Sequence, residues 1–236
     1  MICLVDERIS EKCERSLQIL GARIIKLPPS DKIPVPMASH PDMLLFLHEN
    51  EIIAGAEYCE RYPYIFTDIR EYSSSPRISF TEDEPCGEYP HDAVFNALTI
   101  GKLMFIKADT ASRAIISYAE RMGLTVIPTK QGYPACTVLA FGNSAITADV
   151  GMARLLEKNG INTTLIENGD VSLPPYEYGF IGGAAGVYKN KIYFLGDINS
   201  HRNAKEICEA VRAGGFEPIS LSNEPLSDLG RILFID

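Results

Sequence analysis

The chain has 236 residues, 46% of them apolar, and a formal net charge of −9 at neutral pH. No apolar run reaches the roughly 18 residues of a membrane span, and "MICLVDERISEK" carries acids in its first turn without a long apolar stretch, unlike a signal peptide. The negative charge argues against nucleic acid as a partner, because neutralising phosphates takes a basic face, and favours neutral or cationic ligands. The six cysteines (positions 3, 13, 59, 86, 136 and 208) form no CxxC pair, which removes the zinc-finger and thioredoxin signatures. Without an export signal they predict free thiols and a cytoplasmic protein.

The predicted elements begin with a short apolar strand closed by an aspartate, "MICLVD". A helix follows, with Ile9, Cys13, Leu17 and Leu20 on one stripe, and then the strand "ARIIKL". A third stretch leads through "SHPDMLLFL" to "NEIIAGAEY", where the first unit closes. The next segment, "RYPYIFTDIREYSSSPRISF", shows no clear helix and reads as a degenerate copy. After it the pattern returns three times. "LMFIKAD" precedes a helix carrying Ile115, Ile116, Ala119 and Met122; "SAITAD" precedes one with Met152, Leu155 and Leu156; "KIYFLGD" precedes one with Ala204, Ile207, Cys208 and Val211. Each helix ends on a glycine suited to a left-handed C′ position: Gly21, Gly123, Gly160 or Gly214. Asp6, Asp109, Asp149 and Asp197 stand where strand passes to helix, and capping is their simplest role.

The closing aspartates Asp109, Asp149, Asp197 and Asp236 are 40, 48 and 39 residues apart, and Asp6 to Asp109 leaves room for two units more. Five units result. A repeat of this length signals an array or a closed ring. Both chain ends are hydrophobic strands, "MICLV" and "RILFI", rather than the polar caps of an open solenoid. A ring closed by its two terminal strands, which removes exposed edges, is the expected form, with residues 1–236 as one domain.

Five ββαβ-type units in a ring resemble the α/β-propeller or pentein fold of the guanidino-group-modifying enzymes. The segments "KQGYPACTV", "YGFIGGAAG" and "PLSDLGRILFI" resemble, more narrowly, an uncharacterised bacterial family of that fold. The resemblance implies a site in a central channel and a guanidine, amidine or amide group as its target. It also implies a nucleophilic cysteine from the last unit, near the C-terminus. There this chain has "PLSDLG" with Asp228, and its last-unit cysteine, Cys208, belongs to the helix.

Aligning the third stretches places Asp42, Asp92, Cys136, Gly179 and Asp228 in one column, with His40 and His91 beside it. Carboxylates hold a planar cation in a fork, a thiolate attacks its central carbon, and a histidine moves the proton. The expected roles are therefore substrate binding for Asp42, Asp92 and Asp228, with Gln131 and Tyr133 at the mouth, and catalysis for Cys136, His40 and His91. A carboxylate about 6 Å from the sulfur at an effective dielectric of about 20 opposes the thiolate by roughly 3 kcal/mol. The thiol is then unreactive until a cation arrives. Simpler readings exist: "ACTVLAF" as a buried strand with a small core cysteine, and "SHPD" and "PHD" as turns. His40, Asp42, His91 and Asp92 would also suit zinc or manganese, but the expectation is no metal and no cofactor. "GFIGGAAG" lies where the repeat puts a strand, not at a dinucleotide-binding strand–helix turn, and "VYKNKIYFLGD" reads as a hairpin turning at Lys189–Asn190. The alternative function is a non-catalytic pentein that binds a small polar ligand or a protein.

Overall fold

Hairpins alternate with helical crossovers along the whole computed structural model, which describes residues 1–236. The first unit holds β1 (Ile2–Asp6), α1 (Glu11–Ile19) and β2 (Arg23–Leu27). The second holds α2 (Pro41–Leu44), β3 (Leu45–His48), β4 (Glu51–Gly55), α3 (Ala56–Arg61), α4 (Pro63–Tyr72) and β5 (Arg77–Thr81). The third has β6 (Ala97–Ile100), β7 (Leu103–Ile106), α5 (Arg113–Arg121) and β8 (Thr125–Pro128). The fourth has α6 (Pro134–Thr137), β9 (Val138–Phe141), β10 (Ser144–Thr147), α7 (Val150–Lys158), β11 (Asn162–Leu165) and β12 (Val171–Ser172). The fifth has β13 (Ala185–Tyr188), β14 (Lys191–Phe194), α8 (Ala204–Ala213), β15 (Glu217–Ser220) and β16 (Leu226–Ser227), and the chain ends on β17 (Leu233–Ile235).

These strands form five three-stranded sheets of one plan: β17-β1-β2, β3-β4-β5, β6-β7-β8, β9-β10-β11 and β13-β14-β15. The first pair in each is antiparallel and the second parallel. A parallel neighbour needs a crossover, and the helix after each middle strand supplies it. β12 and β16 add a two-stranded parallel ladder. The terminal strands pair as expected, with Ile2 opposite Ile235 and Leu4 opposite Leu233.

Apolar packing follows the same succession. One cluster joins the first two sheets (Leu4 and Leu27 with Leu45 and Ile52), another the next pair (Phe46 with Met104), and a third the following pair (Phe105 with Val138). A fourth links Ile146 with Ile192, and a fifth joins Tyr193 of β14 and Leu195 just beyond it to Cys3 and Val5 of the first sheet. The order of sheets thus closes on itself through both hydrogen bonds and core.

Three local expectations are corrected. The second unit keeps its helix, in two pieces: the chain breaks at Tyr62, and Pro63 starts α4, as a ring without an N–H can do at a first turn but not inside one. Ile65, Phe66 and Ile69 of α4 are buried, so the crossover survives although its flanking prolines and tyrosines obscure the periodicity. After α8 the left-handed residue is Gly215, at φ +84°, not Gly214. Asp149 does cap α7, accepting from the Met152 N–H at 2.7 Å, but Ser10 and Ser112 cap α1 and α5 in place of Asp6 and Asp109. The hairpin turning at Lys189–Asn190 is present, with Tyr188 opposite Lys191.

Candidate functional site

Two single helical turns, α2 and α6, deliver the central side chains. Each opens on a proline, Pro41 or Pro134, and runs straight into the antiparallel edge strand of its sheet, β3 or β9. All four residues of each turn are buried, so Asp42 and Cys136 have no route to bulk water along their own elements. Backbone bonds tie these turns to the last two units: Gly183 N–H donates to the Cys136 carbonyl at 2.9 Å, and Asp42 N–H to the Gly230 carbonyl at 3.3 Å. A Cβ at Gly182 would lie 2.5 Å from the Cys136 and Val138 carbonyls, so only glycine lets the backbone approach so closely; "GFIGGAAG", expected on a strand, is a turn that becomes strand only at Ala185, where β13 starts.

The result is a buried polar cluster. The Cys136 thiol donates to Asp42 Oδ2 at 2.9 Å. Asn96 Nδ2 donates to Cys136 Sγ at 3.3 Å while its Oδ1 accepts from the Ala135 N–H at 2.8 Å. Asp228 is fixed by the Phe180 N–H at 2.8 Å and the Gly230 N–H at 3.1 Å. His40 lies between two carboxylates: Nδ1 is 4.0 Å from Asp228 Oδ1, and Nε2 is 3.9 Å from Asp6 Oδ2. Asp6 is itself clamped by the Arg8 guanidinium. Neither ring nitrogen of His40 has a hydrogen-bond partner, nor does Asp42 Oδ1. Such orphans are rare in buried positions. The nearest donor atoms of His40, Asp42 and Cys136 lie within 4.8 Å of one another.

Burial dominates the electrostatics. It pushes Asp42 up to about 7 and Asp228 up to about 6, and His40 down to about 3, with the Arg8 charge acting the same way. The Cys136 thiol is held well above its usual value, first by burial and then by the charges of Asp42 and Asp228. Burial also lowers the Arg231 guanidinium, which acts on both Asp42 and Cys136 through its charge. Desolvation thus favours the neutral forms of Asp42, Asp228, His40 and Cys136, opposed at Asp42 by the Arg231 charge.

Above the cluster is a cavity of about 400 Å³ lined by Met37, Tyr133, Leu173, Tyr176, Tyr178 and Phe180 among others. Its walls are neighbours of the cluster. Met37 accepts from the His40 N–H, Tyr133 from the Thr137 N–H, and Phe180 donates to Asp228.

A model of one protein family, described as a family of unknown function (DUF6873), matches residues 4–233. The chain belongs to that family. No curated protein matches it. Several solved structures are similar in fold. One is dimethylarginine dimethylaminohydrolase from Pseudomonas aeruginosa, complexed with citrulline: 13% identity, 94% of this chain and 92% of that one, TM-score 0.56. Another is C. jejuni agmatine deiminase: 8% identity, 94% and 87% covered, TM-score 0.56. A third is inosamine-phosphate amidinotransferase from Streptomyces griseus: 14% identity, 92% and 76% covered, TM-score 0.51. This DUF6873 chain has the α/β fold of those enzymes, the pentein fold.

The structure gathers His40, Asp42, Cys136 and Asp228 from the expected set. Asp92 stands apart, its Oδ2 accepting from the Tyr133 hydroxyl at 2.7 Å, and His91 is exposed. Gln131 lines a different cavity, of about 530 Å³, with Lys130 and Asp149; Tyr133 lines the aromatic one. Three participants escape the column. Asn96 stands immediately before β6, which starts at Ala97, four positions beyond the Asp92 that the column takes. Asp6 reads as a helix cap. Arg231 reads as the polar start of a terminal strand; it sits at φ +75° just before β17, and a lone basic residue heading an apolar strand was its one signal.

Proposed function

We propose that this protein binds a small cation bearing a guanidine or amidine group in the buried cluster, and that Cys136 attacks the central carbon of that group. The observation that supports it most is the convergence of a thiol with two carboxylates from different units: Asp42 at 2.9 Å from Cys136 Sγ and Asp228, whose charge is felt at the same sulfur. A planar cation entering between Asp42 and Asp228 satisfies the free Asp42 Oδ1 and returns both acids to their ionised forms. The same positive charge lowers the thiol, whose proton passes to Asp42 along the existing hydrogen bond. Sulfur then bonds to the carbon, and one C–N π pair moves onto nitrogen. Expulsion of an amine from this adduct takes one proton, which Asp42 returns, and leaves a thiouronium-type intermediate on Cys136. A water or amine then displaces the thiol, with His40 positioned to take the incoming proton.

This differs from a site built on a last-unit cysteine. Here Asp228 occupies the last unit and the thiol comes from the fourth, across the cluster. The similar enzymes act on or bind guanidino-type molecules by name, which supports the ligand class without deciding the residues.

The test is alkylation of Cys136 by iodoacetamide, mapped by peptide mass spectrometry, with and without a panel of guanidino and amidino compounds, alongside thermal shift. A binder raises the melting temperature, since it engages only the native state, and changes the labelling rate of Cys136 alone. Binding without turnover or a covalent adduct removes the nucleophile role and leaves the binding protein. A panel that shifts neither readout overturns both.

A further inference from the structure

We propose that the same cluster is a site for one soft divalent metal ion, zinc foremost, held by His40 Nδ1, Asp42, Cys136 Sγ and Asp228. The donor atoms of His40, Asp42 and Cys136 are already within 4.8 Å of one another, and all three residues are buried. Tetrahedral zinc with bonds of about 2.0–2.3 Å needs its ligands roughly 3.3–3.7 Å apart, so a contraction of about 1 Å brings these three to bonding distance, and Asp228, whose Oδ1 is 4.0 Å from His40 Nδ1, swings in as the fourth ligand. One imidazole, one thiolate and carboxylate oxygens are a donor set that selects zinc over magnesium or calcium.

His40 supplies the independent sign. It is wholly buried, and both ring nitrogens lack a partner. Its two faces differ. Nε2 looks toward Asp6 at 3.9 Å, and Asp6 is braced by Arg8. Nδ1 looks toward Asp228 at 4.0 Å, whose charge reaches Cys136 and Asp42. The geometry leads to a carboxylate–histidine–metal relay: on metal binding the 3.9 Å gap between Nε2 and Asp6 closes to a hydrogen bond in which Nε2–H donates, fixing the tautomer that turns the Nδ1 lone pair to the ion. On binding, the thiol gives up its proton to solvent, as does whichever of Asp42 and Asp228 is still protonated. One thiolate and two carboxylates against a dication leave one negative charge, and Arg231, which acts on Asp42 and Cys136, balances it. The set departs from the His40, Asp42, His91 and Asp92 group that the sequence suggested, because His91 is exposed and Asp92 is taken by Tyr133.

Bound metal holds the sulfur lone pair that the proposed reaction uses, so the two occupants exclude each other; the metal site itself does not depend on that reaction. The experiment is titration of chelator-treated protein with Co²⁺, with Zn²⁺ as competitor. The expected result is one equivalent of cobalt, a thiolate-to-cobalt charge-transfer band in the near ultraviolet, tetrahedral-type visible bands, and displacement by zinc. Cys136→Ser loses the charge-transfer band, while Cys86→Ser, at an exposed thiol, keeps it. Asp6→Asn retains the band and weakens binding about 10–100-fold, the usual effect of a partner behind a metal ligand. Should Cys136→Ser fail to fold, protection of Cys136 from iodoacetamide by stoichiometric zinc in the unmodified protein decides the matter. No charge-transfer band at one equivalent, a band that survives Cys136→Ser, or zinc that leaves the alkylation of Cys136 unchanged overturns the site. Cobalt binding without binding of any guanidino compound keeps the metal site and removes the function proposed above; the reverse result does the opposite.

Discussion

Asp42→Asn removes a charge beside the thiol while keeping the size and an acceptor oxygen of the side chain. The thiol donates to that carboxylate at 2.9 Å, which puts the centre of charge about 4 Å from sulfur. At an effective dielectric of about 20, a unit charge at that distance is worth about 4 kcal/mol, or about 3 units of thiol pKa. Burial draws Asp42 itself up to about 7, so the full charge is present only well above that value, and the comparison belongs at about pH 9. Burial is also the first cause of the raised thiol, and it acts equally on both proteins. Alkylation of a buried thiol requires the site to open, and solvent in the open site screens part of the charge, so the visible effect is smaller than the full thousandfold. The expected outcome is alkylation of Cys136 by iodoacetamide about 10–100-fold faster in chelator-treated Asp42→Asn than in the parent. Peptide mass spectrometry reads the rate, with exposed Cys86 as internal standard. Equal rates at about pH 9, with Cys86 unchanged, would show that the Asp42 charge does not govern the thiol, and the ligand-gated nucleophile would fall with it.

The pH dependence of stability follows from the same burial. Asp42 and Asp228 are raised in the folded state, to about 7 and about 6. Their contribution is therefore fully present below the unfolded carboxylate value near 4 and is lost as pH rises toward 6–7, beyond which it is flat. His40 is lowered to about 3. Its contribution is present above the unfolded value near 6.5 and is lost as pH falls toward 3, so it opposes the acids between about pH 4 and 6.5. In urea denaturation of chelator-treated protein, Asp42→Asn accordingly gains stability over the parent as pH rises from about 4 to 7, by no more than about 4 kcal/mol. His40→Gln steepens the decline of stability with pH over the same window. A parent-minus-variant difference that does not change with pH refutes both assignments. Asn96→Ala orphans the Ala135 N–H and removes the donor to Cys136 Sγ. A loss of about 1–3 kcal/mol is expected, read as a lower urea midpoint at unchanged slope; a loss below about 0.5 kcal/mol would show that the Asn96 bonds are replaced by water.

What the sequence disclosed and what it concealed divide along one physical line. The sheets were legible because each middle strand is a buried apolar run, as in β1, where all five residues are buried, and each crossover helix has a stripe such as Ile115, Tyr118 and Ala119 in α5. Those signals are periodic and local. The site comes from the connections, which have no period, and there a slip of four positions puts Asp92 where Asn96 belongs. The column still recovered Asp42, Cys136 and Asp228, because α2 and α6 share a proline-led turn and Asp228 follows directly on β16. What no column conveys is partnership across units. Asp6 looks like one more strand-closing aspartate, yet its clamp by Arg8 and its place 3.9 Å from His40 depend on the fold bringing β1 beside α2. The repeat that makes the fold readable thus conceals the site, since the residues that matter are those at which one unit departs from its copies: a thiol at the column only in the fourth, a buried histidine beside the column's carboxylate only in the second, an arginine just before the last strand. A site assembled from such departures is asymmetric by construction, which is what binding and orienting a single small cation requires of a scaffold built from repeats.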